Sequence, residues 1–407
     1  TAQILSGILS GAGGLHKAYG GTLTLSGSNT YSGRTSFMPQ TTAGFTVNIT
    51  SFNSVNGGTP LMASSSLGAP TSVTNGTIDI GEIVRQASVS LNYTGPGETT
   101  DRILNFGFSG SASLTLSASG SGLLKFTSAM TANTLTTQSG SLILRGTGSG
   151  EITQALPALP GGGLSKNDSG TWTLGGTNSY TSPTAIIAGK LFINGDQSSA
   201  TGNVSVAANA TLGGTGTLGG NTTIAANGKL EFNLSTPAGS HNGLELASGR
   251  SLTFSGASVL TITSAGGAAT GTYTLLTAPG GITGSAPATL NLPDGWVATV
   301  SISGNNLLLN VASIGATPYY TLTVTSPYGT ATPMGVTTSN WNTVINATVS
   351  GSPVLNGTTQ YMATGWIGTG SLANGSGTNT SFSITNNTTI SWVWQTNYWI
   401  NLQVIGN

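Results

Sequence analysis

Apolar residues in this chain come in short bursts, such as Thr22-Leu23-Thr24-Leu25 and Leu142-Ile143-Leu144, separated by Gly, Asn, Ser and Thr. Bursts this short, with polar residues at every second position, predict half-buried β-strands. No stretch keeps the apolar spacing of a helix over several turns. Gly and Asn are the residues that take positive φ at little steric cost. The Asn-Gly pairs at 56, 75, 194, 227 and 242 are therefore expected to form positive-φ corners between strands.

Comparison of the chain with itself yields one clear repeat. Gly14-Leu15-His16-Lys17 and Gly21-Thr22-Leu23-Thr24-Leu25 return as Gly163-Leu164-Ser165-Lys166 and Gly170-Thr171-Trp172-Thr173-Leu174. Leu15, Lys17, Gly21, Leu25, Gly27, Asn29 and Tyr31 each recur 149 residues later. A repeat of strand-forming segments implies a stacked architecture in which each coil buries its inward side chains on the next. The pattern Gly-Leu-x-Lys, Gly-Thr-x-Thr-Leu, Gly-x-Asn-x-Tyr resembles the passenger-associated transport repeat of autotransporter passengers. Gly189-Lys190-Leu191-Phe192-Ile193-Asn194-Gly195, Leu212 to Gly220 and Ile224 to Leu230 resemble the rungs that follow it. The resemblance covers residues 1 to about 312. It implies a right-handed parallel β-solenoid, or β-helix. At about 20–25 residues per coil and strands ~4.8 Å apart, this would be a rod of roughly 60–70 Å.

The composition changes near Thr317-Pro318. Asp294 is the last charged residue, and five of the seven tryptophans fall from Trp341 onward. Strands are expected at Tyr320 to Thr325, Thr343 to Val349, Tyr361 to Gly365, Ser381 to Ile384 and Thr389 to Trp394, the spacing of a small Ig-like β-sandwich. Gln360 to Trp366, Gly368 to Ser371 and Ile390 to Thr396 resemble a divergent internalin-type B repeat. Tyr398 to Val404 repeats the pattern of Tyr319 to Val324 and reads as a surplus strand. The expected class is all-β. Its blocks are two solenoid segments, 1–160 and 161–315, and a C-terminal β module, 316–407, with the surplus strand at 398–404.

The chain has 407 residues, with 10 basic and 10 acidic side chains and no cysteine. Zero net charge and the lack of a Lys/Arg cluster remove the electrostatic basis for binding nucleic acid or anionic lipid. Thiolate metal sites and disulfides are excluded, no cofactor is implied, and no apolar run reaches the length of a membrane-spanning helix. Residue 1 is Thr, which suggests that an N-terminal segment has been removed. About 95 residues beyond the solenoid are too few for the membrane barrel that an autotransporter resemblance implies.

Candidate chemistry is sparse. Asp79, Glu82, Arg85, Glu98, Asp101 and Arg102 make the one charge cluster in which a glycan-cleaving carboxylate pair could sit. His16 and His241 lack metal spacing, and Asn167-Asp168-Ser169-Gly170 is an isolated loop without calcium-repeat neighbours. The leading expectation is a non-enzymatic bacterial cell-surface or extracellular protein that self-assembles head to tail. Strand addition through Tyr398, Trp399, Ile400, Leu402 and Val404 would form the links. The alternative is an adhesin in which the solenoid is a stalk and Trp341, Tyr361 and Trp366 form an aromatic ligand surface. A β-helix polysaccharide-degrading enzyme is the third reading. The expected partners are other copies of the chain, other surface components, and glycans.

Overall fold

Strands one coil apart in the sequence pair in parallel, so each apolar burst is covered by the next. The computed structural model describes residues 2–133, 139–159, 161–235, 238, 241–264, 266–315 and 319–398. The chain divides into two units, Thr1–Ser313 and Ile314–Asn407. In the first, the strands wind into a β-solenoid. Among the described residues one side carries twelve strands, from Ala2–Leu5 to Ile282–Thr283, and a second carries nine, from Glu98–Thr100 to Thr289–Asn291. The third side is paired near the start, from Leu15–Lys17 to Thr131–Asn133, and again from Asp196–Gln197 onward.

The register puts like on like. Leu23, Val47, Leu91, Leu116 and Leu144 stand in one inward column, and none is more than 4% exposed. Each such side chain contributes about 1.5–3 kcal/mol by leaving water. The residues between them face outward, which explains the period of two in the sequence. Coils range from 18 residues (Val204 to Thr222) to 44 (Thr46 to Ser90). The longest holds an excursion at 51–77 with the one-turn helix Val73–Gly76, capped by Ser72.

The positive-φ reading of the Asn-Gly pairs holds at Asn56 and Asn227, with φ of 39° and 60°, and not at Asn75 or Asn194. Asn75 lies in the short helix and Asn242 in the strand His241–Leu246. At Gly195 the demand is for space: a Cβ there would stand 2.2 Å from the Gly176 carbonyl oxygen of the preceding coil. Asn209, also left-handed at 64°, shows a corner of the expected kind. Its N–H donates to the Asn227 carbonyl one coil on, at 2.9 Å.

The two repeat copies do not occupy equivalent sides. Leu15–Lys17 belongs to the third side and Gly21–Leu25 to the twelve-stranded sheet. Gly163–Lys166 lies in the twelve-stranded sheet and Thr171–Leu174 in the nine-stranded one. The second copy is thus advanced by one side. No boundary separates the two blocks, because Ser141–Arg145 pairs directly with Gly163–Lys166. The unit ends in antiparallel pairing of Gly271–Thr277 with Asn306–Ser313, and of the latter with Val297–Ser303.

In the second unit the five expected strands are present, as Tyr319–Thr325, Thr343–Ser350, Thr359–Thr369, Asn379–Ile384 and Thr388–Tyr398. Four shorter ones, Thr330–Thr332, Gly335–Asn340, Val354–Asn356 and Gly375–Ser376, had no apolar alternation to show them. Tyr319–Thr325 runs parallel to Thr388–Tyr398, which pairs antiparallel with Thr359–Thr369. A second sheet joins Thr330–Thr332, Thr343–Ser350 and Asn379–Ile384. Leu322, Val324 and Trp392 from the first sheet meet Ile345, Ala347 and Ile384 from the second in one buried core.

Candidate functional site

The charge cluster is the first place to look for chemistry, and the fold commits it to backbone. Glu98 accepts from the N–H groups of Phe52 at 2.5 Å and Asn53 at 3.4 Å. Asp101 accepts from Val55 at 2.5 Å and from Asn56. Arg102, 1% exposed, donates to the carbonyls of Gly76 at 2.5 Å, Phe52 at 2.8 Å and Leu67 at 2.9 Å. Burial pulls its guanidinium down to about 10 and pushes the Glu98 carboxyl up. These three residues clamp the 51–77 excursion onto the coil below. Asp79 sits elsewhere, on the third side, paired with Arg34 at 2.6 Å and held by Ser36 and Asn105. Glu82 accepts from the Arg85 N–H. Asp79 and Glu82 line one cavity of about 320 Å³ with Met38 and Asn105, but Asp79 is taken up by Arg34, Ser36 and Asn105 and Glu82 by the Arg85 N–H, while Glu98 and Asp101 are bound to backbone elsewhere.

The other polar candidates are also committed or exposed. Asp168 receives a bidentate grip from Arg145, at 3.0 and 3.1 Å, which holds its carboxyl below the usual carboxylate range. That pairing uses the oxygens a calcium ion would need. His16 is exposed on Leu15–Lys17. The side chain of His241 lies outside the described residues.

The repeat residues build corners. Asn29 Oδ1 accepts from Leu9 N–H at 2.8 Å, and Asn178 Oδ1 from Leu156 N–H at 2.6 Å. Each asparagine ties its corner to the coil before. Tyr31 and Tyr180 each share a hydrogen bond of 2.9 Å with Thr35 and Thr184, respectively. The repeat lysines occupy inward columns: Lys17 stacks on Phe37, and Lys166 lies between Leu144 and Ile186. Their stems replace aliphatic side chains while the ammonium reaches corner carbonyls. Lys166 Nζ donates to Asn167, Asp168 and Ala188 at 2.7, 2.8 and 3.0 Å.

Burial pulls the Lys166 ammonium down to about 8 from its ordinary 10.5. Below pH 8 the folded chain carries the cost of that buried charge. Between about pH 8 and 10.5 the unfolded chain still binds the proton that the folded chain has released, so stability rises with pH. Tyr180, pushed up to about 12 by burial, acts in the opposite sense only above about pH 10. Urea unfolding followed from about pH 7.5 to 9.5 is expected to show the rise, and Lys166→Met to remove it. A wild-type profile that is flat across this window would contradict the assignment.

In the second unit, the long strands Thr359–Thr369 and Thr388–Tyr398 carry Tyr361, Trp366, Trp392, Trp394 and Tyr398. Trp366 and Trp392 meet edge to face with centroids 5.6 Å apart, and Trp366 Nε1 donates to the Ala373 carbonyl at 3.0 Å. Trp366 thereby serves the core. Trp341, half-buried at the turn before Thr343–Ser350, makes no ring contact with Tyr361 or Trp366 among the described residues. Tyr361 instead stacks on Tyr328, with centroids 3.8 Å apart and planes 14° from parallel. Trp394 meets Tyr328 edge-on at 5.7 Å. Its Nε1 donates to Ser326 Oγ at 3.0 Å, while Ser326 Oγ donates to the Tyr328 carbonyl at 2.6 Å. The indole therefore fixes the turn that brings Tyr328 onto Tyr361. The neighbouring Tyr361 hydroxyl pushes the Tyr328 phenol up. Tyr398 closes Thr388–Tyr398 and is 75% exposed. Trp399, Ile400, Leu402 and Val404 lie outside the described residues.

Tyr328 escapes sequence reasoning, since it sits in the turn Ser326-Pro327-Tyr328-Gly329 and not in a strand pattern. An aromatic residue following Pro in a tight turn is the signal that could have drawn attention to it.

The passenger-associated-transport-repeat matches at residues 15–38 and 164–193, the two segments that supply the inward-column lysines, the corner asparagines and the tyrosine–threonine pairs. This chain is autotransporter passenger-like. The chain is also similar to the adhesin BmaC autotransporter of Brucella suis biovar 1 (strain 1330), 37% identical over 125 residues. That match covers 29% of this chain and 4% of the length of the adhesin. The repeats are those found in autotransporter passengers, which are surface-exposed or secreted.

Proposed function

We propose that this passenger is a cell-surface adhesin that acts by binding and without catalysis. The solenoid serves as the stalk, and the second unit, read as an Ig-like or B-repeat-like module, offers Tyr328, Tyr361 and Trp394 to a neutral glycan. The observation that carries this is the half-exposed Tyr328–Tyr361 stack, set in a sequence that has no charged residue after Asp294. Rings without charge favour the C–H faces of sugars, and a surface of hydroxyls and amides can complete the hydrogen bonds. A charged polymer would find nothing to pair with there.

The test is a glycan array probed with the full chain. Binding to a neutral glycan is expected, with Tyr361→Ala lowering affinity at least tenfold while the melting transition of the solenoid is unchanged. Equal binding by wild type and Tyr361→Ala, or retention of acidic glycans alone, would remove this platform from the mechanism.

A further inference from the structure

A second aromatic surface lies on the solenoid, among the outward residues of the nine-stranded sheet. Phe192, Gly213 and Glu231 are direct neighbours on three successive strands. They point outward, because Leu191, Leu212 and Leu230, one position before each, are wholly buried. Gly213 leaves the middle position bare. A Cβ there would come within 2.7 Å of Phe192 Cε1, so the ring lies over the glycine, across the sheet. Lys190 reaches past the same bare strand to Glu231, with Nζ at 2.7 and 3.0 Å from its two carboxylate oxygens.

The result is a groove of about 400 Å³ lined by Phe192, Asn194, Thr215, Glu231, Asn233 and Thr263, a size typical of small-ligand clefts. Asn194 Oδ1 accepts from the Thr215 N–H at 3.3 Å, which orients the amide. Asn233 and Thr263 are exposed. A half-buried ring, an oriented amide and a carboxylate whose charge is cancelled by a lysine form one side of a polar groove.

We propose that this groove is a carbohydrate site distinct from the tyrosine platform. A neutral hexopyranose would lay its C–H face on Phe192, with its hydroxyls reaching Glu231, Asn194 and Asn233. The Lys190–Glu231 pair leaves no net charge to attract an acidic sugar, and the polar lining excludes a purely apolar ligand. The stalk would then hold a glycan along its side.

The proposal is tested in the full chain carrying Tyr361→Ala, which silences the other platform. Saturation-transfer NMR with maltohexaose, cellohexaose and chitohexaose as probes is expected to show transfer to the pyranose protons of at least one. Adding Phe192→Ala or Glu231→Gln should lower that affinity at least tenfold with an unchanged melting transition. Should Phe192→Ala unfold the coil, Asn233→Ala with Thr263→Ala is expected to give the same loss from an exposed position. Absence of transfer from all three probes in the Tyr361→Ala chain overturns the proposal. Transfer undiminished by the groove substitutions overturns it as well. Transfer in the wild type that vanishes with Tyr361→Ala alone supports the tyrosine platform and overturns the groove.

Discussion

Arg102→Ala is expected to loosen the 51–77 excursion by about 3–5 kcal/mol, because it orphans buried acceptors instead of merely removing a contact. Three carbonyls, those of Phe52, Leu67 and Gly76, converge on this one guanidinium. Removing it leaves the buried Leu67 and Gly76 carbonyls without this donor and the Phe52 carbonyl with only a 3.4 Å bond from Ser65 Oγ, at about 1–3 kcal/mol apiece before relaxation. It also leaves Glu98 and Asp101 on the adjoining backbone N–H groups without the cation that balances them. Lysine cannot substitute, since one ammonium lacks the planar fork that reaches acceptors on three sides. Amide hydrogen exchange resolved over residues 51–77 should accelerate by roughly a hundred- to a few thousand-fold in Arg102→Ala, and by nearly as much in Arg102→Lys. Exchange within tenfold of wild type would show that the excursion is held by something else. The same experiment separates a structural role from a catalytic one, since the coils that do not touch the excursion should exchange as before.

A loss of similar size, about 3–5 kcal/mol, is expected from Trp172→Ala. Trp172 is the largest fully buried side chain, and it stands where the first repeat copy has Leu23. What makes room for it is Gly150, its partner one coil earlier. A Cβ on Gly150 would stand 2.6 Å from the indole, so the ring occupies space that a side chain on the neighbouring coil would otherwise fill. The indole Nε1 also donates to the Arg145 carbonyl at 2.8 Å. Trp172→Leu should recover part of the loss while leaving a void over Gly150. In that background Gly150→Ala is expected to be tolerated, whereas alone it clashes. A double-mutant cycle measured by urea unfolding should therefore give a coupling of about 1–3 kcal/mol between the two positions. Additive effects would show that the Trp–Gly complementarity is not what stabilises this coil.

Much of this architecture was legible before any coordinates. The two-residue period in Thr22-Leu23-Thr24-Leu25 marks which side chains stack, because a strand has only two faces and one of them must leave water. The recurrence of Leu15, Lys17, Asn29 and Tyr31 at a fixed spacing marks the strand–corner–strand unit, because that unit depends on bonds within one coil and its neighbour. The drop in charge after Asp294 marks the second unit. The aromatic surface was legible only in part. Tyr361 lies in a strand and was expected at the site, but Tyr328 lies in a turn, and its stacking depends on the bond from Trp394 to Ser326, 68 residues away in the chain.

Function was the least legible. Asp79, Glu82, Glu98 and Asp101 look like one acidic cluster in the sequence, yet the fold sends Asp79 to the third side and uses Glu98 and Asp101 to cap backbone. Proximity in sequence says little about proximity in space when each coil runs around three sides. Lysine is ordinarily a surface residue, yet the structure stacks Lys166 between Leu144 and Ile186, because its stem is apolar and the corner carbonyls are within its reach.

By itself, then, the sequence determined that the chain is nearly all-β, that it stacks in coils, and which strand positions face inward. These follow from periodicity and composition, which act locally. Only the tertiary structure decided that the second repeat is advanced by one side, that Arg102 clamps an excursion, that Tyr328 joins Tyr361, and that Phe192 lies across Gly213. The advance of the repeat, the Arg102 clamp and the Phe192–Gly213 contact depend on how many residues separate one coil from the next, while the Tyr328–Tyr361 stack depends on the bond from Trp394 to Ser326; a local pattern carries no record of either.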